Sequence, residues 1–134
     1  MFGQSAGSIL ISYLLLNPDF NLARAAILES GFPATQTLFN PTRRQGDWDS
    51  FISNVPECKG VSRNNAFGCL RSASSDTILN AGNAALAAGQ EEFPYSPVID
   101  GWGGIIPDLP SKLFAAGHFA RLPILTGTCL DEGK

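Results

Sequence analysis

The sequence predicts an α/β fold, in which short parallel strands alternate with helices. An apolar helical segment over residues 6–16 is followed by a short apolar run, 25–28, that is typical of a buried strand in a parallel sheet. Farther along, helical segments precede a second short strand at 123–126. The resulting order of helix, strand, helices and strand is the order of an α/β protein.

Composition limits the class of protein. The 134 residues have the length of one ordinary domain, and 44% of them are hydrophobic, which is enough for a real core. The net charge of −3 and the pI of about 4.9 provide neither the basic footprint of a nucleic-acid-binding protein nor a polybasic membrane surface. No apolar run reaches the ~18 residues of a membrane span, so we expect no stable membrane insertion. No linker divides the chain, so we expect a single domain.

The first part of the chain predicts one half of a β-α-β unit. Residues 6–16 are apolar on nearly all sides, as in a buried helix, and Asn17-Pro18 ends this helix. The strand at 25–28 ends in a turn, Ser30-Gly31-Phe32-Pro33. The other half of the unit, a strand that should precede Gly3, is expected to be missing from the chain.

The middle of the chain predicts a helical insertion. Four apolar residues recur at the spacing of an amphipathic helix: Trp48, Phe51, Ile52 and Val55. Pro56 ends this helix, and the segment 58–69 reads as a loop. A second helix is expected over residues 75–88, with Ser75-Asp76 as its cap.

The last part of the chain returns to the sheet. Residues 93–100 are extended and contain prolines that suit an edge or irregular strand. Pro110-Ser111 begins a third helix that Gly117 closes. The strand at 123–126 then leads into an acidic loop.

The segment Gly3-Gln4-Ser5-Ala6-Gly7 fits the G-x-S-x-G pattern of a nucleophile elbow. A serine on a sharp strand-to-helix turn needs small neighbours two residues away on either side, because bulky ones would collide. The helix that begins at Ala6 places its positive end beside the hydroxyl, and the Ala6 N–H can donate to an oxyanion. Five-residue matches also arise by chance, so a purely structural turn serine is the alternative.

A serine nucleophile needs a base and an acid. The only histidine, His118, follows a surface helix and reads as a solvated loop residue. It also precedes the acid candidates, whereas α/β-hydrolases carry their histidine after the acid. The acid candidates are Asp131 and Glu132, on the loop directly after a strand. No metal-ligand spacing and no nucleotide-binding motif is present in the sequence.

The three cysteines allow two interpretations. Cys58 and Cys69 would close a short loop in an oxidising compartment and leave Cys129 unpaired. Three reduced, buried thiols in a cytosolic protein are the alternative.

Several ordered motifs together resemble the type-B carboxylesterase/lipase family, which includes the cholinesterases and several fungal lipases. The resemblance runs through all 134 residues but covers only a minor part of a typical, much longer member. The matching stretches are FGQSAGS at 2–8, AAILESG at 25–31, the cysteine pair followed by LRS, SPVIDG at 96–101, PDLPSKLFAAGHFARLPILTGT at 107–128 and DEG at 131–133.

The resemblance implies roles for five residues. Ser5 would be the nucleophile and the Ala6 N–H one donor of the oxyanion hole. Glu132 would be the acid that orients the histidine, in preference to Asp131, because the family uses Glu where most α/β-hydrolases use Asp. Ser30 would hydrogen-bond that acid. Gln4 stands where the family often has Glu, so a neutral amide would change a buried polar network there.

The cysteines match the family only in part. Cys58 and Cys69 match a family disulfide, which favours a secreted protein. Cys129 stands where Asn is usual, and we interpret it as a buried thiol without an assigned role.

The resemblance also implies what surrounds the chain. The glycine-rich oxyanion loop of the family lies upstream of the elbow and the histidine lies downstream of DEG, so residues 1–134 are expected to be an internal fragment of a single α/β-hydrolase domain. That fragment would contain the elbow helix, about two strands of an incomplete sheet and a helical insertion. We expect it to aggregate or be molten in isolation and to have negligible turnover.

For the parent protein, the resemblance implies hydrolysis of a small-molecule or lipid carboxylic ester, with no metal or organic cofactor. The alternatives are a catalytically dead truncated fragment and a non-enzymatic interaction protein, since the family includes adhesion members that lack the serine.

Overall fold

The structure is a computed structural model that describes residues 1–89 and 95–132. It confirms the α/β fold class and divides the chain into two compact units. We call the first the sheet unit, formed by Met1–Leu38 and Val98–Lys134, and the second the helical unit, Phe39–Pro97. The prediction of a single domain over 1–134 stays a prediction.

The elements follow each other in nearly the predicted order. In chain order they are β1 (Phe2–Gln4), α1 (Ala6–Leu14), β2 (Ala26–Glu29), α2 (Gln45–Ser53), α3 (Arg63–Ser72), α4 (Ser75–Ala88), α5 (Pro110–Ala115) and β3 (Ile124–Gly127), with 3₁₀ turns at Pro41–Arg44 and Pro56–Cys58.

The sheet unit contains a three-stranded parallel sheet in the order β1-β2-β3. Gly3 is opposite Leu28, and Leu28 is opposite Thr126. The expectation that the first strand of the β-α-β unit is missing is wrong, because β1 contains Gly3 itself and gives the described sheet three strands rather than about two. Because all strands are parallel, their carboxyl ends share one edge, and the segments that follow them meet there.

Helix α1 is buried on two sides, as its composition predicts. One side packs in a cluster with Leu113 and Ile106, and the other in a cluster with Leu28 and Ala120. The helix is not buried all round, since Leu10 is 54% exposed in the described part of the chain. The hydrophobic clusters therefore fix α1 against the central strand β2, and with it the turn that precedes α1.

Helix α5 ends at the predicted glycine. Gly117 has a φ of 71°, a conformation that costs glycine little, and its N–H donates to the carbonyl of Phe114. The next N–H, that of His118, donates to the carbonyl of Leu113 over 2.8 Å. This pair of bonds is the Schellman motif, which turns the chain sharply after the helix.

The structure differs from the prediction at three places between residues 58 and 100. The expected loop at 58–69 is wrong, because α3 occupies Arg63–Ser72. Helix α4 is capped by Ser74 rather than Ser75, since the Ser74 side chain accepts the N–H of Thr77. Of the expected extended segment 93–100, residues 93 and 94 lie outside the described residues, and 95–100 form no strand.

A disulfide joins Cys58 to Cys69, as the family resemblance implies, and anchors α3 in the helical unit. Cys58 is fully buried beside Val55 and Ala81. The bridge connects the 3₁₀ turn to a helix with few strong helix formers, so it holds together a part of the fold that local propensity does not.

Removing this bridge is expected to lower the free energy of unfolding by about 3 kcal/mol, because the bridge closes a loop of sequence separation 11. The measurement is denaturant unfolding of the C58S/C69S double variant, made in a form of the protein that includes the histidine and followed by circular dichroism. The matched control is Cys129→Ser, which removes a free cysteine and should change the value by less than about 0.5 kcal/mol. Equal midpoints for the wild type and the double variant would contradict the prediction.

Candidate active site

Ser5 occupies a strained turn between β1 and α1. Its φ is 51° and its ψ −122°, a region that residues other than glycine rarely adopt. The turn is fixed on both sides: the Ser5 N–H donates to the carbonyl of Glu29 over 2.9 Å, and the Ser5 carbonyl accepts the N–H of Ile9. Ser5 is exposed, so the hydroxyl is available to a ligand. The structure therefore has the local geometry of a nucleophile elbow.

A side chain would clash at the first glycine of the motif but not at the second. A Cβ on Gly3 would lie 2.6 Å from the backbone carbon of Gly7, which is too close for any side chain. A Cβ on Gly7 would meet nothing within 4 Å in the described structure. The prediction that a side chain would collide is therefore correct for Gly3 and wrong for Gly7. The close contact is between the position of a Cβ on Gly3 and the backbone of Gly7.

Ala6 is the first residue of α1 and is exposed. Its N–H belongs to the first turn, where the amides have no acceptor within the helix. The first turn of α1 also contains no acidic residue that would offset the positive end of the helix dipole. The N–H of Ala6, the residue after Ser5, therefore lies at the positive end of α1, and its role as an oxyanion donor stays a prediction.

Ser30 and Gly31 connect the elbow to the end of β3. Ser30 also has a positive φ, 53°, and its N–H donates to the carbonyl of Gly127 over 2.9 Å. A Cβ on Gly31 would lie 2.7 Å from the Ser5 carbonyl oxygen, so only glycine fits there. The fully buried Ser8 donates its hydroxyl to the Gly31 carbonyl over 2.6 Å. This dipeptide is held against α1 on one side and against β3 on the other.

Glu132 lies on the loop after β3 and interacts with polar groups from two directions. The hydroxyl of Ser30, at the end of β2, lies close enough to its carboxylate to lower its pKa. The backbone N–H of Cys129 donates to its Oε1 over 3.0 Å. These interactions, with that of Ser30 the largest, hold the pKa of Glu132 below its usual range, while desolvation opposes them. The role that the resemblance implies for Ser30 stays a prediction.

Two other predicted features differ from expectation. Gln4 is the last residue of β1, opposite Glu29, and it is exposed, so residues 1–89 and 95–132 do not form a buried polar network around it. Cys129 is exposed rather than buried, and it contacts Glu132. Sequence reasoning missed that contact; the available signal was the position of Cys129 three residues before the acid.

His118 is half-buried rather than the solvated loop residue that the sequence predicts, and it lies at the end of α1 away from Ser5. It packs edge-on against Trp102, with 5.2 Å between ring centroids. Together these rings line a cavity of about 250 Å³ beside Leu14 and Asn17, at the end of α1 opposite Ser5. Since α1 has nine residues, this end is about 14 Å from its beginning.

The described residues contain neither a metal-binding cluster nor a membrane-spanning helix. No cluster of three or more histidine, cysteine and acidic side chains there has the arrangement of a metal site. None of the described helices combines the length and the apolar character needed to cross a membrane.

Comparison with characterised proteins gives consistent matches along the chain. It is 29% identical to lipase 1 of Geotrichum candidum over 145 residues, which covers 99% of this chain and 25% of the relative. It is 31% identical to a secreted triacylglycerol lipase of Gibberella zeae, covering 99% of this chain and 24% of the relative. It is 30% identical to the acetylcholinesterase of Electrophorus electricus, covering all of this chain and 21% of the relative.

The fold also matches a solved structure. The crystal structure of Aspergillus niger EstA superposes with a TM-score of 0.68 at 25% identity, covering 92% of this chain and 24% of that chain. The chain thus spans about a quarter of the length of the first curated relatives that it matches. The sequence model of the Carboxylesterase family matches residues 1–134, so the chain belongs to the carboxylesterase family.

Proposed function

We propose that residues 1–134 supply the nucleophile and the acid of a carboxylic-ester hydrolase that works through a serine acyl-enzyme. The observation that carries this proposal is the dipeptide Ser30-Gly31. It packs against the Ser5 backbone through Gly31, and its Ser30 hydroxyl lowers the pKa of Glu132, whose carboxylate also accepts the N–H of Cys129. An elbow serine and a hydrogen-bonded carboxylate are thereby fixed at one edge of one sheet, which is the arrangement that a catalytic triad requires.

In this mechanism the Ser5 hydroxyl attacks the carbonyl carbon of the ester. A histidine takes the proton of Ser5 and then donates it to the oxygen of the departing alcohol. The acyl group remains on Ser5 until water, activated by the same histidine, releases the carboxylic acid. The Ala6 N–H donates to the oxyanion, and Glu132 holds the imidazole in the productive tautomer.

His118 is not proposed as this base. The cavity that it lines with Leu14 and Asn17 is at the far end of α1 from Ser5. The separation of about 14 Å along the helix is much longer than the ~3 Å reach of a proton transfer. The histidine of the triad is therefore proposed to come from residues other than 1–134, as are the remaining oxyanion donors.

The proposed substrate is a small-molecule or lipid ester. Proteins named as lipases, a carboxylesterase and an acetylcholinesterase are among the relatives, and the ester bond is common to their substrates. We also propose that the protein is secreted, because it contains the Cys58–Cys69 disulfide and is similar to a secreted lipase.

The test is reaction with a fluorophosphonate, a reagent that labels only activated serines, followed by mass spectrometry of the peptide that contains Ser5. In a polypeptide that includes the histidine, we expect the phosphonyl group on Ser5 and on no other serine. The 134-residue chain alone should remain unlabelled under the same conditions, because it lacks the base. Labelling at another serine, or the same labelling after heat denaturation, would reject the proposed mechanism.

A further inference from the structure

We propose that Ser8 is a positioning residue that holds the Ser30-Gly31 segment against the nucleophile elbow. This inference rests on the proposed function, in which Ser5 is the nucleophile. Ser8 belongs to α1, three residues after Ser5, and is fully buried. Its hydroxyl donates to the carbonyl of Gly31 over 2.6 Å, across a sequence separation of 23 residues. A residue of the elbow helix thus holds a segment that belongs to the end of β2.

The Ser8 bond is one of two that connect the beginning of α1 to the end of β2. The Ser5 N–H donates to the carbonyl of Glu29 over 2.9 Å, and the Ser8 hydroxyl donates to the carbonyl two residues farther along. Ser30 lies between these two carbonyls and has a φ of 53°. A residue with a Cβ keeps such a conformation only where its surroundings hold it, and the paired bonds hold both of its neighbours.

The Gly31 end of this segment already packs as closely on the elbow as atoms allow. A Cβ added to Gly31 would lie 2.7 Å from the carbonyl oxygen of Ser5 and 3.0 Å from the Cβ of Ser8. The segment therefore has no room to move toward α1, and loss of the Ser8 bond lets it move only away from the elbow. Ser30 would move with it, so the bond sets the position of Ser30 relative to the nucleophile.

Replacing Ser8 with alanine removes the donor and keeps the Cβ that packs in the helix. A small displacement of catalytic groups slows the chemical step while substrate binding is retained. We expect kcat for a p-nitrophenyl ester to fall about 10- to 100-fold in Ser8→Ala, with KM within about two-fold of the wild-type value. Ser8→Cys keeps a weaker donor and should have a kcat between those of Ser8→Ala and the wild type.

The matched control is Ser12→Ala, on the same helix. Ser12 is 2% exposed, and its hydroxyl donates over 2.7 Å to the carbonyl of Ile9, within α1 itself. Each substitution removes one buried hydroxyl and one hydrogen bond, but only the Ser8 hydroxyl reaches a segment outside the helix. Ser12→Ala should therefore keep kcat within about two-fold of the wild-type value.

The measurement uses a form of the protein that includes the histidine. Each kcat is divided by the concentration of Ser5 that reacts with a fluorophosphonate taken to completion. This division removes molecules that have failed to fold, so a merely structural role of Ser8 would leave kcat per reactive serine unchanged. Equal values of kcat per reactive serine in Ser8→Ala and Ser12→Ala would overturn the proposal.

Hydrogen–deuterium exchange provides a second readout that needs no catalysis. The Ser30 N–H, which donates to the carbonyl of Gly127, should exchange faster in Ser8→Ala and at the wild-type rate in Ser12→Ala. Unchanged exchange in Ser8→Ala would also overturn the proposal. A wild-type protein whose Ser5 is not labelled would instead reject the proposed function, and the exchange rates would still decide for or against the Ser8 contact.

Discussion

Replacing Ser5 with alanine is expected to lower kcat for a p-nitrophenyl ester by at least about 10⁴-fold, in a form of the protein that includes the histidine. The hydroxyl is the group that forms the acyl-enzyme, and no neighbouring side chain replaces it. Alanine keeps the Cβ of serine and leaves the backbone bonds to Glu29 and Ile9 intact. The loss should therefore come from chemistry rather than from a rearranged turn.

The matched control is Ser111→Ala, which removes an exposed hydroxyl from α5 and should leave kcat within about two-fold, since exposed substitutions away from a site cost little. Both variants should have the same melting temperature as the wild type within a few degrees. A Ser5→Ala variant that retains more than a tenth of the activity would show that another residue is the nucleophile.

Replacing Glu132 with glutamine is expected to lower kcat by roughly 10³- to 10⁴-fold, because an amide does not stabilise the imidazolium and favours the wrong tautomer of the histidine. The N–H of Cys129 donates to the carboxylate, and the amide nitrogen of glutamine cannot accept that bond. The measurement is kcat between pH 5 and 8, with the exposed Asp131→Asn as the neighbouring control. A greater loss in Asp131→Asn than in Glu132→Gln would assign the acid to Asp131.

The stability that the Glu132 carboxylate contributes to the folded loop depends on pH in a definite direction. Hydrogen bonds from Ser30 and Cys129 lower the pKa of Glu132, so the folded loop favours the ionised carboxylate. The stability that these bonds contribute is fully present above the ordinary pKa of glutamate and is lost as the pH falls through the lowered value. The acid limb of the activity profile is accordingly expected to report the histidine rather than Glu132.

The sequence predicts best those elements in which periodicity and flanking residues agree. Helix α1, strand β2 and strand β3 were each expected within about two residues of their observed bounds. The apolar runs of α1 and β2 are long enough to bury and are followed by the turn signals Asn17-Pro18 and Ser30-Gly31. Local sequence and tertiary burial favour the same state in those two elements, whereas β3 is exposed along its length and is held by its pairing with β2.

Helix α3 could not be predicted because local sequence does not favour it. Asn64, Asn65 and Gly68 are weak helix formers, and the two cysteines suggest a loop closed by a bridge. In the structure, Cys69 belongs to the helix and its disulfide partner Cys58 is fully buried. The Cys58–Cys69 disulfide and the burial of Cys58 therefore favour the helical conformation of this segment.

The candidate site also has features that the sequence predicts and features that depend on the tertiary fold. The G-x-S-x-G pattern predicts the strained turn at Ser5 from local sterics alone, and the family resemblance points to Glu132 as the acid. How the two are joined is a property of strand order, because β2 lies between β1 and β3 and brings Ser30-Gly31 between them. Cys129 was misjudged because free cysteine is usually buried, whereas a turn after an edge strand keeps it exposed.

The two serines with positive φ have a consequence for laboratory evolution of this protein. Each holds a conformation that is unfavourable for a residue with a Cβ by roughly 1 kcal/mol or more, and each is followed by an alanine or glycine that completes the turn. Selection for heat resistance alone would reward glycine at positions 5 and 30, where the backbone strain would disappear. A thermostability screen that does not also score ester hydrolysis would thus enrich variants whose most stabilising substitutions remove the nucleophile and the hydroxyl that holds the acid.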